Sequence, residues 1–215
     1  MNAERKITAL KVQKRNPNRV NVYLDGEFAF GLSRIVAAWL QVGQVLSPEK
    51  IQSLQQEETR EAAYQRALHF LSFRPRSENE VRQKLLDKGF DPRVVEETIA
   101  RLKTERLLGD AEFAQLWTEN RSTFRPRSRR LLRYELRQKG VSDDYIEEAL
   151  KTAADESELA YEAGSRYAHR LAGLQADVFR KRLMAFLARR GFSYGTIAPV
   201  VQRISSEMQR QEPET

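Results

Sequence analysis

Seven arginine side chains lie within one short stretch of this sequence, and arginine is well suited to binding anions. They fall between positions 121 and 137, and the one acidic residue among them is Glu135. The planar guanidinium group holds a phosphate or a carboxylate through two parallel hydrogen bonds. This density therefore favours a surface that binds an anionic partner or DNA. The stretch contains Arg121, Arg125, Arg127, Arg129, Arg130, Arg133 and Arg137.

The spacing of these arginines predicts where they point. On a helix beginning at Ser128, Arg129, Arg133 and Arg137 are four residues apart and share one face, with Arg130 on the neighbouring stripe. The alternative interpretation is a solvated helix face balanced by the acidic run at 143–148. A second basic strip, predicted to bind the same partner, follows later in the chain. It consists of Arg180, Lys181, Arg189 and Arg190.

Residues of the kind that catalyse reactions do not form a recognisable site. His69 and His169 lie far apart in sequence without nearby carboxylates at ligand spacing, so packed or surface histidine is a better interpretation than metal binding. The acidic pairs at 143–144 and 147–148 fit the first turns of a helix, where negative charge is stabilising. The sequence has no P-loop, GxGxxG, HExxH or GxSxG motif. We therefore predict a binding protein without catalytic residues, metal or cofactor.

The basic residues belong to a unit that the chain repeats three times. Gly89, Gly140 and Gly191 occupy the same point of three similar segments, each 51 residues after the one before. The five residues at 73–77 recur without change at 124–128. Chance similarity between amphipathic helices does not explain this identity, because such helices share apolar spacing only. Stacked copies complete each other's cores, so we predict an elongated, curved helical array.

Three helices are predicted in each copy. In the first copy Ser77 and Glu80 form a capping box before the middle helix, and Gly89 ends that helix in the left-handed conformation. Asp91 then caps the third helix, with Pro92 at its first position. The corresponding caps in the later copies are Asp110, Ser128, Ser142, Asp177 and Ser193.

Apolar stripes predict the buried faces of these helices. The first helix of copy two presents Phe113, Leu116 and Trp117. The first helix of copy three is expected from Tyr161 to Leu174. Its last helix carries a proline at position 199, so we expect that helix to begin late or to bend.

The first 46 residues have a different pattern. Val20, Val22 and Leu24 alternate with polar residues, as in a half-buried strand. A turn is expected at 16–18, and a two-residue hairpin at 25–26. We predict a mainly α protein with a small N-terminal element of three strands and a short helix capped by Ser33. The predicted segments are 1–46 for this β element, 47–60 for a connecting helix of about 15 residues, 61–111, 112–162 and 163–205 for the repeats, and 206–215 for a polar tail.

Composition limits the class of protein. The 215 residues include no cysteine, which favours a reducing cytoplasm, and no apolar run approaches the roughly 20 residues that span a bilayer. The formal net charge of +7 favours polyanions or acidic protein surfaces. We expect a cytoplasmic monomer that does not associate with membranes.

Three segments of the repeats stand out: ALHFLSFRPRSENEVRQKLLDKGF, VVEETIARLKTERLLGDAEFA and SRRLLRYELRQKGVSDDYIEEAL. They resemble the RecX family, bacterial regulators of the RecA recombinase. The resemblance covers about residues 61–205 and includes the S-x-x-E helix start, the K-G-F turn, the L-L-x-D-x-x-F-A junction at 107–114 and the R-Q-K-G of copy two. Some family members also have an N-terminal β extension similar to residues 1–46.

The resemblance implies a regulator that lies along the groove of the RecA–single-stranded DNA filament. Such a protein restrains ATP hydrolysis, strand exchange and the coprotease activity of the filament during DNA repair and the SOS response, and single- or double-stranded DNA is a further expected partner. The sequence leaves open whether this chain inhibits or stabilises the filament, and which face docks.

Two other classes of function compete with this expectation. One is an independent nucleic-acid-binding protein built of helix-turn-helix-like repeats. Copy two has 9 basic and 11 acidic residues, which argues against three equivalent recognition modules. The other is a protein-only adaptor without DNA contact.

Overall fold

The computed structural model describes residues 4–211, which fall into two compact units. One unit contains the described residues up to Arg74 together with Val81–Leu108, and the other contains Pro75–Glu80 together with residues from Gly109 onward. The strands are β1 (Arg5–Gln13), β2 (Asn16–Leu24), β3 (Glu27–Ser33) and β4 (Val45–Leu46). The α-helices are α1 (Pro48–Leu71), α2 (Glu78–Leu86), α3 (Pro92–Thr104), α4 (Asp110–Phe124), α5 (Arg129–Gln138), α6 (Asp143–Lys151), α7 (Glu156–Ala168), α8 (Ala176–Arg189) and α9 (Tyr194–Gln211). Short 3₁₀ helices cover Val36–Trp39 and His169–Leu171.

The N-terminal strands form an antiparallel sheet in the order β3-β2-β1-β4. Asp25 and Gly26 both have positive φ, 52° and 92°, which confirms the two-residue hairpin. The turn predicted at 16–18 is wrong, because β2 already begins at Asn16, which pairs with Gln13. Pro17 is tolerated there since pairing of β2 with β3 begins only at Arg19. The two-residue strand β4 was also not predicted.

The connecting helix is longer than predicted. Ser47 caps α1 by accepting a hydrogen bond from the Lys50 amide at 3.3 Å, and Pro48 occupies the first position. No glycine or proline follows before Leu71, so nothing stops the helix. The connecting helix and the first helix of copy one are therefore one helix of 24 residues.

Within residues 4–211 the nine helices follow the predicted repeat, and strand is confined to the first 46 positions. The capping box is confirmed: the Glu80 amide donates to Ser77 Oγ at 3.2 Å, and the Ser77 amide donates to Glu80 Oε2 at 3.3 Å. Asp91 accepts from the Arg93 amide at 2.8 Å. Gly89 has φ +82°, as a left-handed helix terminus requires.

Three details of the predicted helix starts are wrong. Gly109 rather than Asp110 is the cap of α4, because the Asp110 carboxylate instead accepts from the Glu78 amide at 2.8 Å. Gln175 rather than Asp177 is the cap of α8. The helix expected from Tyr161 begins at Glu156. The last helix begins directly at 194, because Ser193 accepts from the Thr196 amide at 3.2 Å, and Pro199 lies inside it.

Equivalent positions of the three copies are buried equally. Leu85, Leu136 and Leu187 are each 0% exposed, as are Val81, Leu132 and Leu183 at the neighbouring aligned position. Leu116, predicted to be buried, is 49% exposed, because α4 buries the face carrying Phe113, Ala114 and Thr118. The aligned leucines, rather than every apolar residue of a stripe, form the cores of the copies.

The repeated five-residue segment docks on the glycine turn of the next copy. Ser77 Oγ donates to the Lys139 carbonyl at 2.6 Å, and the Ser128 amide donates to the Arg190 carbonyl at 3.0 Å. Each accepting carbonyl directly precedes a left-handed glycine, at 140 or 191. Glycine is required at 140 and 191 for two reasons: the backbone is left-handed, and atoms of the preceding copy are too close for a Cβ.

This close approach predicts that replacing Gly191 by alanine destabilises the protein more than replacing Gly89. Gly89, Gly140 and Gly191 have φ of +82°, +79° and +86°, so alanine costs about 1–2 kcal/mol at each from conformation alone. A Cβ at 191 would lie 2.5 Å from Ser128 Oγ, whereas one at 89 would meet nothing within 4 Å. Gly191→Ala should therefore lower the free energy of unfolding by about 1–3 kcal/mol more than Gly89→Ala. Equilibrium denaturation of both variants measures this difference, and equal losses would show that the docked turn has no packing role.

Candidate functional site

The arginine row on α5 is largely paired with acids of α6. Arg133 forms two parallel hydrogen bonds to Glu147, Nε–Oε1 at 2.6 Å and Nη2–Oε2 at 3.0 Å. Arg137 binds Asp143 in the same way, at 2.7 and 3.1 Å. These bonds raise the pKa of both guanidinium groups and lower the pKa of both carboxyl groups. The charge of these two arginines is therefore balanced within the molecule.

One of these pairs is a feature of the repeat itself. Arg82 and Glu96, 51 residues before Arg133 and Glu147, form the same bidentate pair at 2.7 and 3.2 Å. In each of these two copies, the pair joins the second helix to the third. This recurrence indicates a structural role for Arg133.

Four other arginines of the cluster also make internal contacts. Arg129 Nη2 donates to the Ala153 carbonyl at 3.2 Å, beyond the end of α6. Arg130, which is exposed, reaches the Gly191 carbonyl with Nη2 at 3.4 Å. Arg121 and Arg127 both pair with Glu135, with Arg121 Nε 3.0 Å from its Oε2. Arg121 also covers the ring of Trp117, whose indole N–H donates to the same carboxylate at 2.9 Å.

A cavity lined by several of the basic residues lies where copies two and three meet, and we name it the junction pocket. Its volume is about 480 Å³. Four of the basic residues selected from sequence line it, two from each copy, together with two apolar side chains that sequence reasoning missed. The lining residues are Arg125, Arg127, Leu131, Phe186, Arg189 and Arg190.

The inner wall of the junction pocket is held in place by the backbone and by aromatic rings. Arg190 Nη1 donates to the Pro126 carbonyl at 2.9 Å, and its guanidinium group lies 4.5 Å above the ring of Phe186. Phe186 in turn stacks on Tyr167 with ring centroids 3.9 Å apart. A guanidinium group fixed in this way is preorganised for a ligand.

The charge of the junction pocket is poorly compensated. Arg125 and Arg189 are exposed, and neither has an acidic partner in the part of the chain that the structure describes. Burial lowers the pKa of Arg190, and the positive charges of Arg125 and Arg166 lower it further. Burial likewise lowers the pKa of Arg127, and neighbouring arginines add to this effect. Such clustered like charge favours an anion.

The rest of the second basic strip lies apart from this cavity. Arg180 and Lys181 are exposed on the first half of α8, about two and a half turns before Arg189. Arg180 lines a different hollow, with Phe179 and Met208. The structure therefore brings Arg189 and Arg190 together with the end of α4, but not with Arg180 and Lys181.

The two histidines occupy the surface. His69 is exposed and meets the ring of Phe73 edge-on at 4.9 Å, and His169 is exposed at the end of α7. Across residues 4–211, no group of three or more histidine, aspartate or glutamate side chains is placed to hold a metal ion. The helices described here include none that is both long and apolar enough to cross a membrane.

Comparison with protein families matches four segments, which make up most of the chain, to one family. Residues 5–47 match the Regulatory protein RecX N-terminal domain. Residues 63–102, 110–150 and 154–201 match the first, second and third three-helix domains of RecX. The chain belongs to the RecX family. Each repeat identified from the 51-residue spacing therefore corresponds to one RecX three-helix domain.

Relatives of similar length support this assignment. Regulatory protein RecX of Bacillus subtilis (strain 168) is 32% identical over 205 residues, covering 94% of this chain and 78% of the relative. That of Clostridium perfringens (strain 13 / Type A) is 30% identical over 207 residues, covering 94% and 97%. A crystal structure of regulatory protein RecX has a TM-score of 0.68 at 25% identity, covering 94% of this chain and 99% of that one. RecX from Lactobacillus salivarius shares the fold over 70% of this chain, with a TM-score of 0.59 at 22% identity.

Proposed function

We propose that this protein is a non-enzymatic regulator that binds the RecA–single-stranded DNA filament and inhibits its ATP hydrolysis, strand exchange and coprotease activities. Membership of the RecX family supports the partner. The physical support comes from the junction pocket, where Arg125, Arg189 and Arg190 have no acidic partner among the described residues. A chain without cysteine suits the reducing cytoplasm where such filaments form, and we propose that it acts there as a monomer.

A filament on DNA offers the negative charge that these arginines lack. Its DNA strand presents closely spaced phosphates, and arginine binds phosphate oxygens through two hydrogen bonds at once. Within residues 4–211, Arg125 and Arg189 make no ion pair, and the charge of Arg125 repels that of Arg190. Residues that break the rules of stability in this way are typical of functional surfaces.

We divide the basic residues selected from sequence into two sets. The first set lacks acidic partners among the described residues and is proposed to make the main contact. It comprises Arg125, Arg130, Arg180, Lys181, Arg189 and Arg190. The second set consists of the four arginines that pair with acids, together with Arg129 of the α5 row, which donates to the Ala153 carbonyl. Of these, Arg129, Arg133 and Arg137 are the second candidate for docking. Contact through Arg133 or Arg137 would require the α6 carboxylates to give up their bidentate bonds.

Co-sedimentation tests this function directly. The protein is mixed with preassembled RecA filaments, with single-stranded DNA alone or with duplex DNA alone at equal nucleotide concentration, over a range of salt. We expect strong association with the filament and weak, salt-sensitive association with bare DNA. Equally tight binding to bare DNA would favour the independent nucleic-acid-binding protein. Filament binding without any DNA binding at low salt would favour the protein-only adaptor.

A further inference from the structure

The chain contains the same junction twice, and the first serves as an internal comparison for the second. Ser77 of copy one donates through its hydroxyl to the carbonyl before Gly140, and the aligned Ser128 of copy two donates through its backbone amide to the carbonyl before Gly191. Each residue lining the junction pocket therefore has a counterpart 51 positions earlier. These counterparts are Arg74, Arg76, Glu80, Glu135, Gln138 and Lys139.

Two carboxylates of the earlier copies are replaced by apolar side chains at the aligned positions of the second junction. Leu131 stands where copy one has Glu80, and Phe186 stands where copy two has Glu135. Glu80 accepts a hydrogen bond from Lys139 Nζ at 2.7 Å and lies 3.9 Å from Arg76 Nη1. Positive charge at the first junction is thus matched by a carboxylate of the neighbouring copy.

Arg190 occupies the position of Lys139 but pairs with no carboxylate of the described residues. Its guanidinium group donates to a backbone carbonyl and covers an aromatic ring. The position of Gln138 is taken by Arg189, which adds a charge. Of the four arginines around the cavity, Arg127 alone pairs with an acid among residues 4–211, and that acid is Glu135. The second junction has therefore lost negative charge and gained positive charge on the same scaffold.

We infer that the junction pocket binds a phosphodiester group of a single-stranded nucleic acid, with Arg125, Arg189 and Arg190 donating to the phosphate oxygens. The cavity is larger than one phosphate and has exposed arginines at its mouth, so a strand can continue on either side. Leu131 and Phe186 line the same cavity and add apolar surface beside the guanidinium groups. This inference deepens the proposed function, since it names the group in the filament that the site would hold.

The test measures DNA binding in the absence of RecA. A short fluorescein-labelled oligothymidylate is titrated with the full-length protein, and fluorescence anisotropy gives Kd over a range of salt. Arg125→Gln/Arg189→Gln should weaken binding about tenfold or more and reduce the slope of log Kd against log salt by about 1.4. A matched control, Arg170→Gln/Arg210→Gln, removes the same charge from exposed positions and should change Kd less than about twofold.

A second variant gives the junction pocket the carboxylate that the first junction has. Leu131→Glu restores the carboxylate that copy one has at this position, where it can pair with Arg190. We expect this variant to lose oligothymidylate binding to a similar extent while its melting temperature stays the same or rises. Unchanged binding in both Leu131→Glu and Arg125→Gln/Arg189→Gln would overturn the inference.

Two further arms identify the source of the phosphate and separate this inference from the proposed function. Competition with ATP and with inorganic phosphate should require far higher concentrations than competition with unlabelled oligothymidylate. Stronger competition by ATP would overturn the assignment to a strand. If the arginine variant loses oligothymidylate binding but sediments with RecA filaments as the wild type does, the phosphate site stands and filament docking lies elsewhere. If it keeps oligothymidylate binding and loses filament binding, the phosphate site is refuted while the regulator remains.

Discussion

Replacing Arg125 and Arg189 by glutamate is expected to remove most of the inhibition of filament ATP hydrolysis. The substitutions place two carboxylates at the mouth of the junction pocket, where the proposed partner presents phosphates. Like charges brought together at an interface cost several kcal/mol, so half-maximal inhibition should require about a hundredfold more protein. ATP hydrolysis by RecA on single-stranded DNA, titrated with wild type and variant, measures this shift.

The same variant should fold at least as well as the wild type. Both side chains are exposed and make no ion pair with any residue that the structure describes, and the new carboxylates can pair with Arg190. Circular dichroism should show unchanged helicity and an equal or higher melting temperature. Arg170→Glu/Arg210→Glu changes net charge by the same amount and should inhibit nearly normally.

Two results would contradict this location of the docking surface. Full inhibition by the folded Arg125→Glu/Arg189→Glu variant would exclude the junction pocket. A larger loss in Arg133→Gln/Arg137→Gln would instead support the row on α5. In the second case, the bidentate bonds to Glu147 and Asp143 would have to break on docking.

Most of the helices and several of their ends were predictable because their signals are local. A serine followed by a glutamate three residues later satisfies helix-start amides within one turn, as Ser77 and Glu80 do. Glycine at a left-handed position is a property of the backbone at that residue, and Gly89, Gly140 and Gly191 all have it. The 51-residue spacing then assigned these local signals to three copies of one unit.

Partners of charged side chains depend on how neighbouring helices are oriented, which spacing along one helix does not give. The row of Arg129, Arg133 and Arg137 was chosen because its members share a face, yet that face meets the acids of α6. The competing interpretation was that the acidic run at 143–148 balances the positive charge of this row. Comparing the copies position by position, as with Glu80 and Leu131, gives a sequence signal for the junction pocket that density of arginine alone does not.

The second large effect is expected in the core of copy three. Leu187 is 0% exposed and packs in one cluster with Leu183, Phe192 and Ile204. Leu187→Ala removes buried methyl groups and leaves a cavity in a close-packed interior. The free energy of unfolding should fall by about 2–5 kcal/mol, measured by guanidinium denaturation followed by circular dichroism.

Leu116→Ala is the matched control for this substitution. Leu116 belongs to a helical apolar stripe as Leu187 does, but it is 49% exposed, so its loss should cost no more than about 0.5 kcal/mol. The two variants separate apolar pattern from position within the repeat. A loss of similar size in both would mean that the side of α4 carrying Leu116 is buried in solution. A large loss in Leu187→Ala alone would show that the position shared with Leu85 and Leu136, and not membership of a stripe, determines which leucines hold each copy together.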